Sequence, residues 1–114
     1  MQTLKSFKYA VRGLTTTWRE EFNFRIEVLV GLVVFFCMFY FDFSYIESAL
    51  CVVAVALVLV SEVINTIVED FCDKVEPNQD KIIEKIKDMS ASFVLLSTLA
   101  SVTIGIFVLL NHFN

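Results

Sequence analysis

Turn-forming residues are almost absent from this chain: one proline and three glycines are spread over 114 residues. So few breaks leave room for few loops, which points to long helices and against a many-stranded sheet. Charge is scarce as well, at 19% Asp, Glu, Lys and Arg, below the roughly 25% of soluble domains. Basic residues are missing from most of the chain. All nine Lys and Arg fall within residues 5–25 and 74–87, and none lies in 42–47 or near the C-terminus. A net charge of −4 with no long basic face argues against nucleic acid as a partner. Paired cysteines are lacking too. Cys37, Cys51 and Cys72 each sit inside an apolar run and read as small lipid- or core-facing residues, not as disulfides or ligands.

What is present is hydrocarbon: 57% hydrophobic residues, twelve Phe and a mean hydropathy of +0.72. One domain of this length cannot hide that much apolar surface in a soluble core, but a bilayer can. The chain reads as an all-α integral membrane protein with one domain. Residues 4–24 form an amphipathic stretch, with Leu4, Phe7, Val11, Leu14, Trp18 and Phe22 on one stripe and Lys5, Lys8, Arg12 and Arg19 mainly off it. That pattern predicts a helix lying in the membrane interface. Thr15 to Thr17 are weak helix formers and mark a place for an irregularity. No cleaved signal peptide is expected, because the first 25 residues or so are polar and basic.

Three spans follow, at about 26–43, 46–75 and 89–110. The second is interrupted only at Glu76-Pro77-Asn78. Its thirty residues would measure about 45 Å, so its end projects beyond a hydrocarbon core of about 30 Å. Residues 78–88 read as a charged connection or short helix capped by Asn78 or Asp80. The positive-inside rule places both basic zones in the cytoplasm, with 42–47 and the C-terminus outside.

Within the second span, SEVINTIVEDFCD (61–73) is the anomaly. Glu62, Asn65, Glu69 and Asp73 fall on a stripe roughly 80° wide on one helix face. Glu62 lies about 24 Å down the axis from Ile46, still inside the cytoplasmic boundary, and Glu69 and Asp73 lie about 10 and 16 Å further on. Such an intramembrane acid is usually functional. The bland alternative is a protonated structural acid bonded across helices. Asn65 reads equally as an interhelical hydrogen-bonding residue. Glu20, Glu21 and Glu27 flank the junction of surface helix and first span, level with Glu69, so that a hard cation could be held between two helices. Lys87-Asp88 reaches the same level, or is an ordinary polar flank. His112, the only histidine, reads as incidental. There is no GxxxxGK[ST] loop, glycine-rich cradle or kinase catalytic loop. Any nucleotide would therefore be handled by carboxylate-bound Mg²⁺ with scattered basic and backbone donors.

Glu62-Val-Ile-Asn65-Thr-Ile-Val-Glu69-(x)3-Asp73, followed by Lys87-Asp88-Met-Ser-Ala, resembles the signature of the prokaryotic diacylglycerol kinase family, which includes undecaprenol kinases. Tyr9, Gly13-Leu14, Glu21 and Phe24-Arg25 extend the likeness over nearly the whole chain. The resemblance implies a homotrimer with active sites shared between chains at the cytoplasmic interface. It implies Glu62 as the base for the lipid hydroxyl, with Asn65 adjoining, and Glu21 and Glu69 as the acids that hold Mg²⁺ with ATP. It implies Tyr9, Asp73, Lys87 and Asp88 as nucleotide contacts, and Arg25 and Glu27 on the lipid side. Where one branch carries Glu-Tyr-His, this chain has Asn78-Gln79-Asp80. Arg25 and Glu27 resemble the diacylglycerol branch, and Asn23 the undecaprenol branch. The expectation is an MgATP-dependent kinase in a bacterial inner membrane acting on diacylglycerol, with undecaprenol as the alternative. A proton or cation translocator and a non-catalytic assembly subunit are the rivals. The first finds no acid in the outer half of any span, so that a continuous path is lacking, and the second gives Lys87-Asp88 and the aligned stripe no purpose.

Overall fold

The computed structural model describes residues 2–114, and among these it contains only helices and their connections. The order is α1 (Gln2–Glu20), α2 (Phe22–Tyr40), α3 (Tyr45–Val75) and α4 (Lys81–Phe113). The last three are long and apolar enough to cross a membrane. Their surroundings are inverted relative to a soluble protein. The buried residues include Thr17, Glu47, Ser61, Glu62, Thr66, Ser90 and Ser97, while most large hydrophobic side chains face outward. With lipid as solvent, outward Leu, Val and Phe cost nothing, and the polar groups turn inward toward one another.

The threonines at 15–17 do not disrupt α1. Each hydroxyl donates to the carbonyl four residues earlier, on Val11, Arg12 and Gly13, at 2.9, 3.0 and 2.9 Å, which satisfies the side chain within the helix. The irregularity comes later, at Glu21, whose φ of −112° and ψ of 108° interrupt the helix for one residue. The first apolar helix consequently begins at Phe22, four residues earlier than the hydropathy run suggests.

α3 and α4 form the main packing pair, α2 lies against α3, and α1 touches chiefly α2. Ser101 crosses from α4 to donate to the Ala54 carbonyl at 2.6 Å. A Cβ on Gly31 would lie 2.9 Å from Val55 Cγ1, so glycine is what lets α2 approach α3 there. The charged segment after Pro77 and the last apolar run form one uninterrupted helix, not a connection followed by a span. Asp80 caps it, its Oδ2 accepting from the backbone of Ile82 and Ile83 at 3.0 Å each.

The opposite end of the α3–α4 pair is closed by a joint. Ser44 and Glu47 make a reciprocal capping box. Glu47 is only 5% exposed, and it also accepts from Asn111 Nδ2 at 2.9 Å and meets His112 Nδ1 at 3.0 Å. Phe43 and Phe113 flank the His112 ring at centroid distances of 4.6 and 4.8 Å. His112 is therefore not incidental: it pins the end of α4 to the start of α3. Glu47 likewise belongs to the helix, not to a solvated connection.

Candidate active site

The acid stripe of α3 survives as one face and gains partners from both neighbouring helices. Glu62, 7% exposed, is its deepest member. From α2, the carboxyl of Glu27 comes up against that of Glu62, and among the described residues Glu27 Oε2 is buried with no hydrogen-bond partner. A buried oxygen without a donor is costly unless a ligand or ion completes it.

One turn further on, Asn65 Nδ2 reaches Glu69 Oε1 at 3.4 Å, and its Oδ1 accepts from Ser90 Oγ of α4 at 2.8 Å. Further still, Lys87 Nζ meets Asp73 Oδ1 at 2.6 Å. α4 therefore contacts the stripe at two levels three residues apart, the spacing that puts Lys87 and Ser90 on one side of their helix.

Glu21, at the bend between α1 and α2, faces the same acids. Its carboxyl is held above the ordinary carboxylate range, first by burial and then by the charges of Glu69, Asp70, Glu62 and Glu20. The sequence gives no site role to Asp70, and Ser90 enters only as the serine of Lys87-Asp88-Met-Ser-Ala, without a role of its own. Ser90 had a signal, its place one turn after Lys87, but a serine in a membrane helix has too many ordinary uses for that to single it out.

Three expected residues make no side-chain hydrogen bond or ion pair with this group among the described residues. Tyr9 is 59% exposed on α1, with the Arg12 guanidinium 5.4 Å from its ring centroid. Arg25 is half-buried, its guanidinium 5.7 Å from the Phe22 ring centroid. Asp88 is exposed.

A buried acid beside a second carboxyl, grading along one helix into exposed acids and a lysine, suits proton removal from an apolar substrate beside a polyanionic one. The sequence matches the family described as prokaryotic diacylglycerol kinase over residues 8–109. The chain belongs to that family. It is similar to the diacylglycerol kinase of Escherichia coli, 26% identical over 111 residues that cover 97% of this chain and 91% of that protein. It is also similar to the diacylglycerol kinases of Pseudomonas aeruginosa, 32% identical over 98 residues covering 84% and 80%, and of Synechocystis sp., 31% identical over 103 residues covering 90% and 59%. The protein is thus a lipid kinase with three apolar transmembrane-length helices.

The kinase fits a magnesium ion in a limited way. Among the described residues, no three His, Cys, Asp or Glu side chains close into a metal cage. Magnesium does not need one, since it is typically held by one or two carboxylates and by substrate phosphates. Glu21 and Glu69 have the hard oxygen donors that such a pair would need. Burial first, and then the neighbouring acids, raise the carboxyl of Glu21, and a cation would relieve the second of these causes.

Proposed function

We propose that this lipid kinase transfers the γ-phosphoryl group of MgATP to the hydroxyl of diacylglycerol, giving phosphatidic acid at the cytoplasmic face of a bacterial inner membrane. The observation that carries this reading is the graded stripe of α3. Glu62 is buried among apolar helices where a lipid hydroxyl arrives, and Glu69 and Asp73 continue the same face toward water.

In this reading Glu62 accepts the hydroxyl proton, the alkoxide oxygen forms the new bond to phosphorus, and ADP leaves. Glu27, paired with Glu62 and carrying the orphaned oxygen, bonds the glycerol head together with Arg25. Glu21 and Glu69 hold Mg²⁺, which would neutralise charge on the phosphates during transfer. Lys87 exchanges Asp73 for a phosphate oxygen, and Asp73, Asp88 and Tyr9 complete the nucleotide side. The kinase works as a homotrimer with shared sites. The exposure of Tyr9, and of α1 as a whole, supports a site that draws on a neighbouring chain. The N-terminus is cytoplasmic and the C-terminus outside, because the basic residues flank only one end of the spans.

Asn23 favours undecaprenol as the second reading for the acceptor. The translocator reading gains little from Glu47, the one acid near the far end of α3, because its oxygens are taken up by Ser44, Asn111 and His112. Purified kinase incubated with MgATP and either diacylglycerol or undecaprenol, followed by extraction of labelled lipid, tests the proposal. Phosphatidic acid is the expected product. Undecaprenyl phosphate alone would overturn the acceptor, and no phosphorylated lipid in either arm would overturn the assigned reaction.

A further inference from the structure

We propose that Ser90 is a positioning residue of the metal site: its hydroxyl fixes the amide of Asn65, and that amide aims Glu69. The proposal rests on the reading of Glu69 as a magnesium-side acid. Serine and threonine within these helices mostly return their proton to their own helix, as Ser61 does to Val58, Ser92 to Met89 and Thr103 to Leu99. Ser90 does not. Buried to 8% exposure, it sends its proton across to α3, 25 residues away in sequence, and among the described residues it is the hydroxyl that donates to a side chain.

The consequence follows from the planarity of an amide. With Oδ1 held at 2.8 Å by Ser90, the amino group of Asn65 must point the other way, toward Glu69 Oε1 at 3.4 Å. A flipped Asn65 would set its carbonyl oxygen against the carboxylate, two acceptors facing each other. The carboxylate, which only accepts, draws the amino group and leaves Oδ1 facing α4, where the Ser90 hydroxyl donates to it and anchors the side chain in that place. The 3.4 Å contact is long, so it steers the carboxylate without consuming its lone pairs, leaving them for a cation. One turn away on α4, Lys87 holds Asp73, and Glu69 lies on α3 between these two rungs. Ser90 is the tie of this amide to α4, and without it the long contact to Glu69 would loosen.

The test is Mn²⁺ binding to the full-length kinase with ADP, followed by the paramagnetic resonance of free Mn²⁺ and needing no turnover. Ser90→Ala should weaken Mn²⁺ binding about 10-fold, the usual size of a lost outer-shell contact, and raise the Mg²⁺ needed for half-maximal rate in parallel. Ser90→Thr, which keeps the hydroxyl, should restore most of both. Asn65→Ala should bind Mn²⁺ as weakly as the double variant Ser90→Ala/Asn65→Ala, because the two residues act in series. If Ser90→Ala does not fold, Ser90→Cys, a near-isostere with a weak donor, carries the same comparison. Parental Mn²⁺ affinity in the folded Ser90 variant, or additive effects in the double variant, would overturn the proposal. Glu69→Gln separates the two levels. If it too leaves Mn²⁺ binding unchanged, the metal role of Glu69 fails; if it weakens binding while Ser90→Ala does not, only the positioning role fails.

Discussion

The α3–α4 pair carries a buried carboxylate toward each end, and the two are built in opposite ways. Glu47 is finished: the Ser44 backbone, Asn111 and His112 all meet its oxygens, and phenyl rings close around the histidine. Glu62 stands beside another acid, Glu27, whose Oε2 has nothing to bond. Glu47 and Glu62 lie in the same long, largely apolar helix. Burial of a carboxyl therefore says little about its purpose; the state of its partners says more. A completed set of partners makes a structural joint, and an incomplete one marks a site for something that arrives later.

The largest test of this contrast is a matched pair of amides. Glu62→Gln should abolish lipid phosphorylation, a loss of at least about 10²–10⁴-fold for a general base, with unchanged helix content and thermal stability. Substantial turnover in Glu62→Gln would remove it from the base role. Glu47→Gln should do the reverse, lowering the thermal midpoint clearly while the assembled protein keeps turnover within about twofold. Loss of activity without loss of stability at Glu47 would erase the distinction between the two ends.

A smaller effect concerns Glu21. Its folded carboxyl binds a proton more tightly than an ordinary one, so the stability it contributes is full at low pH. That contribution is lost as pH rises from the ordinary carboxylate value through the raised one. Metal-free kinase should therefore melt at progressively lower temperature across that window. Glu21→Gln should flatten the profile, and Mg²⁺ with ADP should offset the loss in the parent only. A profile unaffected by Glu21→Gln would show that the acids do not converge in solution. The smallest effect should come from Lys87→Ala. Its pair with Asp73 is partly solvated, and such pairs add little to stability, so the melting temperature should stay put while ATP affinity falls. A drop in melting temperature instead would place Lys87 with the joint-like residues.

Local periodicity made much of this visible in advance. The apolar runs announced three membrane-length helices, and the spacing 62, 65, 69, 73 announced a single polar face, because both signals repeat within one helix. The motif around Glu62 and Lys87-Asp88 carried the family. Pairings between distant segments were not legible. Glu47 and His112 are 65 residues apart, Ser90 and Asn65 are 25 apart, and no periodic pattern encodes which turn of one helix meets which turn of another. The Ser44-x-x-Glu47 capping spacing was readable, but not that the same glutamate would also hold the last turn of α4. A junction flanked by Glu20, Glu21 and Glu27 was expected, but its exact place at Glu21 was not legible. It has no glycine or proline to signal it, and the threonines that drew attention instead stay helical.

The unbroken course of α4 gives the far joint a bearing on the chemistry. From Lys87 to His112 is 25 residues of one helix, about 37 Å of rod that resists stretching. Fastening His112 and Asn111 to Glu47, with Ser101 tied to Ala54 midway, therefore sets the axial register of α4 on α3, and the midway tie holds it if the joint is weakened. A slip of one turn would carry Lys87 and Ser90 about 5.4 Å past Asp73 and Asn65. The joint outside the reactive zone serves as the datum from which the reactive zone is measured.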